Sequence, residues 1–269
     1  MSKNSDWSDQ EDNLLIQYYP LESKQFLCNL FPARSWNGIK QHAYGKLKLK
    51  KEITGRTVNG NLSPLLEETT EAYYWMGFLL ADGSFDKNGR IALTVSEKDI
   101  EQLKKFGNFI NTSKIISSTR TTNYMQNAVI HKISCYSKYY GTKLIQKFNL
   151  KLNKTENPPE FQNILNNTSA ENFMSLIIGF IDGDGSITFM NKGKNTSINI
   201  EIHSSWLKNL EIIENFIYSY FNESNPDTAK INANGYAKLS ITRTSINKKL
   251  KLKSKQVPAM DRKWSRIKL

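Results

Sequence analysis

Two short stretches of the chain combine an apolar run with an aspartate and a glycine, and they contain the residues best suited to chemistry. The first is YWMGFLLADGSF at residues 74–85, and the second is SLIIGFIDGDGSI at residues 175–187. Each pattern predicts the end of an apolar helix, then an aspartate (Asp82 or Asp184), then a strand. Two such stretches predict two helices packed side by side, each bringing one carboxylate to a shared point.

A glycine within each apolar run supports this pairing. Gly77 and Gly179 stand where glycine costs about 1 kcal/mol relative to alanine, and such a glycine usually lets another backbone approach closely. The residues around these glycines leave almost no polar face. We therefore expect both helices to be buried on most sides.

The aspartates fall at electrostatically unfavourable positions. Each lies at the C-terminal end of its predicted helix, before a glycine suited to a left-handed cap. A helix C-terminus carries partial negative charge and disfavours a carboxylate, and two adjacent carboxylates repel each other. Bound divalent cations would relieve both penalties, and Mg²⁺ above all fits a site of carboxylates and backbone carbonyls.

At these residues the chain resembles the LAGLIDADG homing endonucleases in their two-motif, single-chain form. The second motif, IIGFIDGDG, is close to the family pattern, whereas the first, WMGFLLADG, has Leu80 where the second has Asp182. The resemblance implies that Asp82 and Asp184 bind the catalytic metal, with the carbonyls of Ala81 and Gly183 as additional ligands. It implies Mg²⁺ as the cofactor, with Mn²⁺ able to substitute. The alternative, buried helices with incidental Asp-Gly caps, explains one copy more easily than two in matched surroundings.

The composition points to a polyanionic partner. The 269 residues include 37 lysines and arginines against 25 acidic residues, a net charge of +12. Nucleic acid is the most economical partner for such a balance, and an anionic membrane surface is the alternative. No apolar run approaches the roughly 18 residues of a spanning helix, and the N-terminus does not resemble a signal peptide.

Cys28 and Cys135 lack a metal-type spacing, so we expect a reduced, cytoplasmic protein, associated with the nucleoid or in a host cytoplasm if phage-encoded.

Residues 1–56 predict three short helices. Ser8 and Glu11 have capping-box spacing, Pro20 ends the first helix, and a third helix begins near Ser35. The runs W-S-x-x-E-D, F-P-x-R-S-W-N-x-I-K and L-K-L-K-K resemble a Myb/SANT-like helix-turn-helix module, in which the third helix enters the major groove. Related modules also bind proteins, and a helical packing domain is the plainer alternative. The resemblance implies DNA contacts by Arg34, Ser35, Asn37, Lys40, Gln41 and Tyr44.

The remainder of the chain is a duplication that follows a predicted linker at residues 57–68. Residues 91–110 align with residues 198–217 at an offset of 107 (198 minus 91), while the motif aspartates differ by 102 (184 minus 82). The second copy therefore has a longer first hairpin. Each copy, residues 69–160 and 161–269, predicts the order helix, hairpin, helix, hairpin, helix. We expect an α+β fold in which two pseudo-twofold related αββαββα units form a saddle of antiparallel sheets beside a small N-terminal three-helix domain.

One face of each sheet should be polar and available to DNA. A solvated strand face is an equally good explanation for any single residue on it. The basic residues predicted on this face are Lys87, Arg90, Arg120 and Lys132 in the first copy, and Lys192, Lys194, Lys238 and Arg243 in the second.

Basic residues near the two aspartates are implied by the same resemblance. Lys154, in KLNKTENPPE, resembles the lysine-threonine segment of the family and would polarise the scissile phosphate or a water. Its counterpart in the second copy is one of four residues between which the sequence does not decide. Glu97 and Ser204 occupy matching positions after the second strand of each copy, where the family often has a polar residue that orients water. The four basic residues that could be the counterpart of Lys154 in the second copy are Lys253, Lys255, Arg262 and Lys263.

The function implied is that of a site-specific double-stranded DNA endonuclease that hydrolyses one phosphodiester on each strand with Mg²⁺. The chain would act as a monomer in which the two copies form a pseudo-dimer. Two alternatives share the fold, a non-cleaving DNA-binding regulator and an intron RNA-splicing maturase. An intact aspartate in both motifs argues against the first alternative, and the N-terminal module favours DNA over RNA.

Overall fold

The structure is a computed structural model that describes residues 6–20, 22, 24–51, 60–122, 125–190, 195–224 and 228–269. The N-terminal part contains three short helices with a small apolar core of their own. The capping box expected at Ser8 and Glu11 is present at the start of the first helix. These helices are α1 (Asp9–Tyr18), α2 (Lys24–Leu30) and α3 (Trp36–Gln41), and α3 continues into a π-helical turn at His42–Lys46.

The order helix, hairpin, helix, hairpin, helix occurs twice in the rest of the chain, as predicted. The first repeat consists of α4 (Thr70–Asp82), β1 (Gly83–Phe85), β2 (Arg90–Ser96), α5 (Ile100–Phe109), β3 (Ile116–Thr122), β4 (Met125–Tyr136) and α6 (Lys138–Lys147). The second consists of α8 (Ala170–Asp184), β5 (Gly185–Met190), β6 (Asn195–His203), α9 (Leu207–Tyr220), β7 (Lys230–Ile231), β8 (Tyr236–Ile241) and α10 (Thr244–Ser254). The short helices α7 (Phe161–Asn166) and α11 (Asp261–Trp264) follow the first and second repeat.

Each repeat forms one four-stranded antiparallel sheet, with strand orders β1-β2-β4-β3 and β5-β6-β8-β7. The registers agree with the sequence alignment, because Gly83 pairs with Leu93 and Gly185 pairs with Ile200. The first hairpin is longer in the second repeat, also as expected. Buried apolar residues alternate with more exposed ones along β8 and along β2 from Leu93 onwards, so one face of each sheet packs on the protein and the other is more open.

Helices α4 and α8 pack against each other at the centre of the molecule. Both are apolar almost all round and buried along most of their length. A Cβ atom at Gly77 would lie 1.9 Å from the Leu176 carbonyl oxygen, and one at Gly179 would lie 1.9 Å from that of Tyr74. The predicted close approach of the two backbones is therefore present, and glycine is required at both contacts.

The glycine after each motif aspartate does not adopt the left-handed cap expected from the sequence. Gly83 and Gly185 are extended, with φ of -79° and -85°. Glycine is needed there for space, because a Cβ atom at either position would lie 2.5 Å from the carbonyl oxygen of Leu79 or Ile181. The chain thus passes directly from each helix into the first strand of its sheet. None of the helices in the described part of the chain is both long enough and apolar enough to cross a membrane.

The contact between α4 and α8 can be tested with Gly77→Ala. The added methyl group would overlap the Leu176 carbonyl, and the free energy of unfolding should fall by about 3 kcal/mol. Gly45→Ala is the matched control, because a Cβ atom there meets nothing within 4 Å. Chemical denaturation of both variants measures the difference. Equal stability of the two variants would contradict the close approach.

Candidate active site

The two motif aspartates are the last residues of α4 and α8, and the ends of these helices adjoin. A Cβ atom at Gly183 would lie 2.2 Å from the Cβ atom of Ala81 and 3.5 Å from the backbone nitrogen of Asp82. The side chains of Asp82 and Asp184 have no hydrogen bond and no ion pair with the residues that the structure describes. The sequence-predicted pair is therefore brought together with both carboxylates free to bind another group.

The surroundings of these carboxylates disfavour their negative charge. Burial, and then repulsion by Asp184, raises the pKa of Asp82 to about 6. Burial also raises the pKa of Asp184, although Lys154 and Lys263 partly offset the effect. Asp82 is nevertheless exposed to solvent as a residue, so the repulsion that its carboxylate feels is partly screened. A positive group between the two helix ends would stabilise both ionised aspartates.

Two lysines supply part of that positive charge. The Lys154 ammonium donates to the carbonyl of Leu80 at 2.6 Å and to that of Ala81, near the end of α4. The Lys263 ammonium donates to the carbonyls of Asp182, Gly183 at 3.1 Å and Gly185 at 2.6 Å, at the end of α8. A cation is favourable at a helix C-terminus, where the last carbonyls lack partners within the helix. Burial lowers the pKa of both lysines.

Lys263 is thereby the counterpart of Lys154 that the sequence left undecided. Both contact the carbonyls that precede the motif aspartate of their own repeat. Lys253 instead pairs with Glu171 at 2.9 Å, and Lys255 borders a separate cavity. Arg262 lies near the site, but it pairs with an acidic residue of the first repeat.

The other acidic residue of the second motif, Asp182, has a structural role. Its side chain is 1% exposed and accepts three hydrogen bonds of 2.8 Å, from the Tyr74 hydroxyl, the Met260 backbone and the Trp264 indole. Burial raises the pKa of Asp182 to about 6, and the hydrogen bonds oppose that shift. Both of its carboxylate oxygens accept hydrogen bonds from within the protein, so Asp182 is unlike the two free aspartates beside it.

A cleft of about 390 Å³ lies beside Asp82, between β2 of the first repeat and β5 of the second. Glu97, the acidic residue expected near the site, is exposed and is not among the described residues that line this cleft. Asp99, two positions later, lines it and forms an ion pair of 2.8 Å with Arg262. Glu97 and Asp99 share a short 3₁₀ turn, and only Asp99 borders the cleft, while the role expected of Glu97 stays a prediction. Lys98, Lys263 and Arg266 also line the cleft.

The residues present suit a divalent cation. Asp82 and Asp184 offer carboxylate oxygens with no other partner in the described chain, and the carbonyls of Ala81 and Gly183 lie beside them, each with two lone pairs of which a lysine uses one. Hard cations prefer this oxygen donor set. No group of three or more His, Cys, Asp and Glu residues is arranged for metal binding within the described ranges, so a bound cation would depend on carbonyl, water or substrate oxygens as well.

The basic residues expected on the open sheet faces fall into two groups. Lys87, Arg90, Arg120 and Lys132 are exposed, as expected, and Lys238 faces outward opposite Glu201, at 4.0 Å. Arg243 instead pairs with Glu223 at 3.1 Å and lies over the Tyr218 ring. Its guanidinium is thus bound within the protein. Lys192 and Lys194 lie outside the described residues.

The six residues expected to contact DNA in the N-terminal part also divide. Arg34 pairs with Glu11 at 2.9 Å and lies over the Trp7 ring, and the Ser35 hydroxyl caps α3 by accepting from the Gly38 backbone. Both side chains are used to build the domain. The other four are exposed and have the spacing of a single helical face: Asn37, Lys40, Gln41 and Tyr44.

Comparison with models of known protein families gives no match, and comparison with curated protein sequences gives none either. Among solved structures, the fold is similar to that of the homing endonuclease I-WcaI bound to its DNA recognition sequence, with a TM-score of 0.55 and 19% identity over 90% of this chain and 97% of that one. The meganuclease I-SmaMI bound to uncleavable DNA is less similar, with a TM-score of 0.46 and 16% identity over 77% and 87% of the two chains. The LAGLIDADG homing endonuclease I-GzeII in complex with its DNA target gives a TM-score of 0.45 and 14% identity over 75% and 88%. The similarity to I-WcaI confirms the α+β fold expected from the two motifs.

Crowding of the two carboxylates predicts that Asp82→Asn stabilises the protein when divalent cations are absent. The folded-state pKa of Asp82, about 6, exceeds the ordinary value of 3.8, so its ionised form destabilises the folded state at every pH above 6. Because solvent screens the carboxylate, the gain should be on the order of 1 kcal/mol. The gain should shrink as pH falls through 6 towards 4, where wild-type Asp82 becomes protonated. Denaturation of both proteins across this pH range in a chelating buffer measures it, and an unchanged or lower stability above pH 6 would contradict the crowding.

Proposed function

We propose that this protein is a site-specific homing endonuclease that hydrolyses one phosphodiester on each strand of double-stranded DNA with Mg²⁺. The observation that carries the proposal is the pair of unpartnered carboxylates, Asp82 and Asp184, at the adjoining ends of α4 and α8, each beside a lysine. The similarity in fold to I-WcaI, a homing endonuclease bound to its DNA recognition sequence, supports the same substrate class for this chain.

Each repeat contributes one set of groups to the reaction. Asp82 and Asp184 would hold the cations, with the carbonyls of Ala81 and Gly183 beside them. A bound divalent cation would activate water for attack on phosphorus and stabilise the leaving oxygen. Lys154 and Lys263 neutralise the negative charge of the helix ends, which lowers the repulsion that an approaching phosphate would meet. The two sets of groups match the two strands of a duplex, so a single chain suffices to cut both.

The open faces of the two sheets provide the surface for the duplex. They carry exposed cations that would neutralise phosphates, together with polar side chains able to read base edges. The two sheets differ in nearly all of these residues, so the recognised sequence should be asymmetric. The exposed face of the third helix, with Asn37, Lys40, Gln41 and Tyr44, would add contacts to flanking DNA.

Cleavage can be tested without knowledge of the target. A library of random duplex DNA is incubated with the protein and Mg²⁺, and newly formed ends are captured and sequenced. Recovery of one preferred sequence cut on both strands supports the proposal. A protein that enriches a sequence without cutting it would be a non-cleaving DNA-binding regulator, and one that retains a structured intron RNA but no duplex would be a maturase. Either result would overturn the proposal.

Asp82→Asn and Asp184→Asn should each lower double-strand cleavage of the recovered site at least about a hundredfold, because each removes a charged ligand that acts in the transition state. DNA affinity should change little, since neither residue supplies positive charge. Gel electrophoresis of a labelled duplex measures cleavage, and fluorescence anisotropy measures binding. Glu211→Gln, an exposed acidic residue on α9, is the control for charge alone. Full cleavage by both aspartate variants would exclude these residues as metal ligands.

The N-terminal face should contribute affinity without contributing to cleavage chemistry. Lys40→Ala and Gln41→Ala should each weaken binding of the recovered duplex by about 1 kcal/mol, because each loses one DNA contact. The cleavage rate at saturating protein should stay the same. Lys46→Ala is the control, since Lys46 is also exposed but does not share the spacing of that face. Unchanged affinity in both test variants would remove the third helix from the DNA interface.

A further inference from the structure

Each active-site lysine lies on a segment that leaves its own repeat and runs against the other. We call residues 148–160, which follow α6 and carry Lys154, the first tail. Residues 255–269, which follow α10 and carry Lys263, are the second tail. The two ammonium groups contact carbonyls of their own repeat, whereas side chains of the opposite repeat bind the main chain of both tails.

The first tail is bound by the second repeat. Asn209, a residue of α9 that is 4% exposed, donates from Nδ2 to the Pro159 carbonyl at 2.8 Å. Its Oδ1 accepts from the Phe161 backbone at 3.0 Å. The Ser205 hydroxyl, just before α9, donates to the carbonyl of Thr155 at 2.6 Å. The main chain on the C-terminal side of Lys154 is thus fixed at three points.

The second tail is bound by the first repeat. Gln102, a residue of α5 that is also 4% exposed, donates from Nε2 to the Pro258 carbonyl at 2.7 Å and to the Tyr74 hydroxyl at 2.5 Å. That hydroxyl donates in turn to Asp182, which also accepts from the Met260 backbone at 2.8 Å. A continuous chain of hydrogen bonds therefore joins both repeats to the segment that precedes Lys263.

Gln102 and Asn209 are equivalent residues of the two repeats. Their separation, 107 positions (209 minus 102), is the offset at which the strands and helices of the repeats align. Each is a buried amide that donates to a proline carbonyl in the tail of the other repeat. The tails themselves do not align in the same way, because Lys154 precedes Pro159 by five residues (159 minus 154) and Lys263 follows Pro258 by five (263 minus 258). The same interaction therefore occurs on two tails that align differently.

We infer that Gln102 and Asn209 are positioning residues, one for each strand-cleaving site, with Gln102 placing Lys263 and Asn209 placing Lys154. This inference rests on the proposed endonuclease function. Neither amide reaches the reacting atoms; each acts through the tail that it binds. A proline carbonyl that loses its donor where water has limited access is left with an unsatisfied acceptor, which is unfavourable, so the tail would shift to find another partner. A displacement of about 1 Å in a group that stabilises the transition state can reduce the rate about a hundredfold.

The central consequence is that each amide affects the cleavage rate of one DNA strand only. Gln102→Met and Asn209→Leu remove the donors while keeping similar side-chain volume. On a duplex carrying the recovered site, labelled differently on each strand, Gln102→Met should slow only the strand that Lys263→Met slows. Asn209→Leu should slow only the strand that Lys154→Met slows. Each effect should be between about tenfold and a hundredfold, and nicked DNA should accumulate.

Double variants separate positioning from a general loss of structure. Adding Gln102→Met to Lys263→Met should have little further effect, because the lysine that the amide places is already absent. Adding Gln102→Met to Lys154→Met should slow cleavage of both strands, because the two substitutions act on different sites. Glu101→Gln and Glu211→Gln, exposed residues on the same two helices, are matched controls that should leave both strand rates unchanged. The unaffected strand in each single variant also reports that the protein remains folded.

Hydrogen exchange tests the positioning without reference to cleavage. In the protein without DNA, Gln102→Met should increase exchange at the Met260 amide and its neighbours, and Asn209→Leu should increase it at the Phe161 amide. If the wild-type protein cuts no duplex, the proposed function fails while these exchange patterns still test whether the amides fix the tails. Equal slowing of both strands by either amide variant, or unchanged exchange in both tails, would overturn the inference.

Discussion

The site depends on the absence of side chains where α4 crosses α8. At Gly77 and at Gly179, a carbonyl oxygen of the other helix occupies the space that any side chain would need. Because the two backbones approach so closely, the ends of the two helices adjoin. The last residue of each helix is an aspartate, so two carboxylates are brought together. The same geometry concentrates negative charge, since two carboxylates meet the negative ends of two helix dipoles. Lys154 and Lys263 offset part of that charge by binding the terminal carbonyls, which leaves the carboxylates themselves unpartnered.

Much of this arrangement could be predicted from local patterns in the sequence. Apolar residues at helical spacing and in alternation fix the order of elements in each repeat, and the offset of 107 between the copies predicts the register of the strands. The glycines of the two apolar runs predict the contact between α4 and α8. Asp82 and Asp184 could be identified because the residues around them match in both copies. These features are set by neighbours along the chain or by repetition, so a single sequence reveals them.

The remaining features arise from contacts between distant residues, and local patterns do not contain them. Asp182 differs from Leu80 in the aligned motif, yet nothing nearby in sequence indicates that it binds Tyr74 and the second tail. Arg34 and Arg243 were predicted to contact DNA from their type and place, but each meets a glutamate that lies more than ten positions away. That Asp99 lines the cleft while Glu97 does not depends on the direction of one short turn. The alignment of Gln102 with Asn209 was available as a signal, although polar residues on an amphipathic helix ordinarily attract no attention.

The crossing of the two tails limits how freely the halves of this chain could be recombined. A chimera would join one repeat of this chain to a half taken from a distant relative. The amide of one half would then face a tail to which it is not matched, and that tail would lack its hydrogen-bond partner. Exchange of halves would succeed only when a helix and the opposite tail move as a unit. Exposed side chains on the sheet faces, such as Arg120 and Lys132, lie outside these contacts between the repeats. Divergence, whether natural or engineered, is therefore expected to accumulate on the sheets while the crossed connections stay matched.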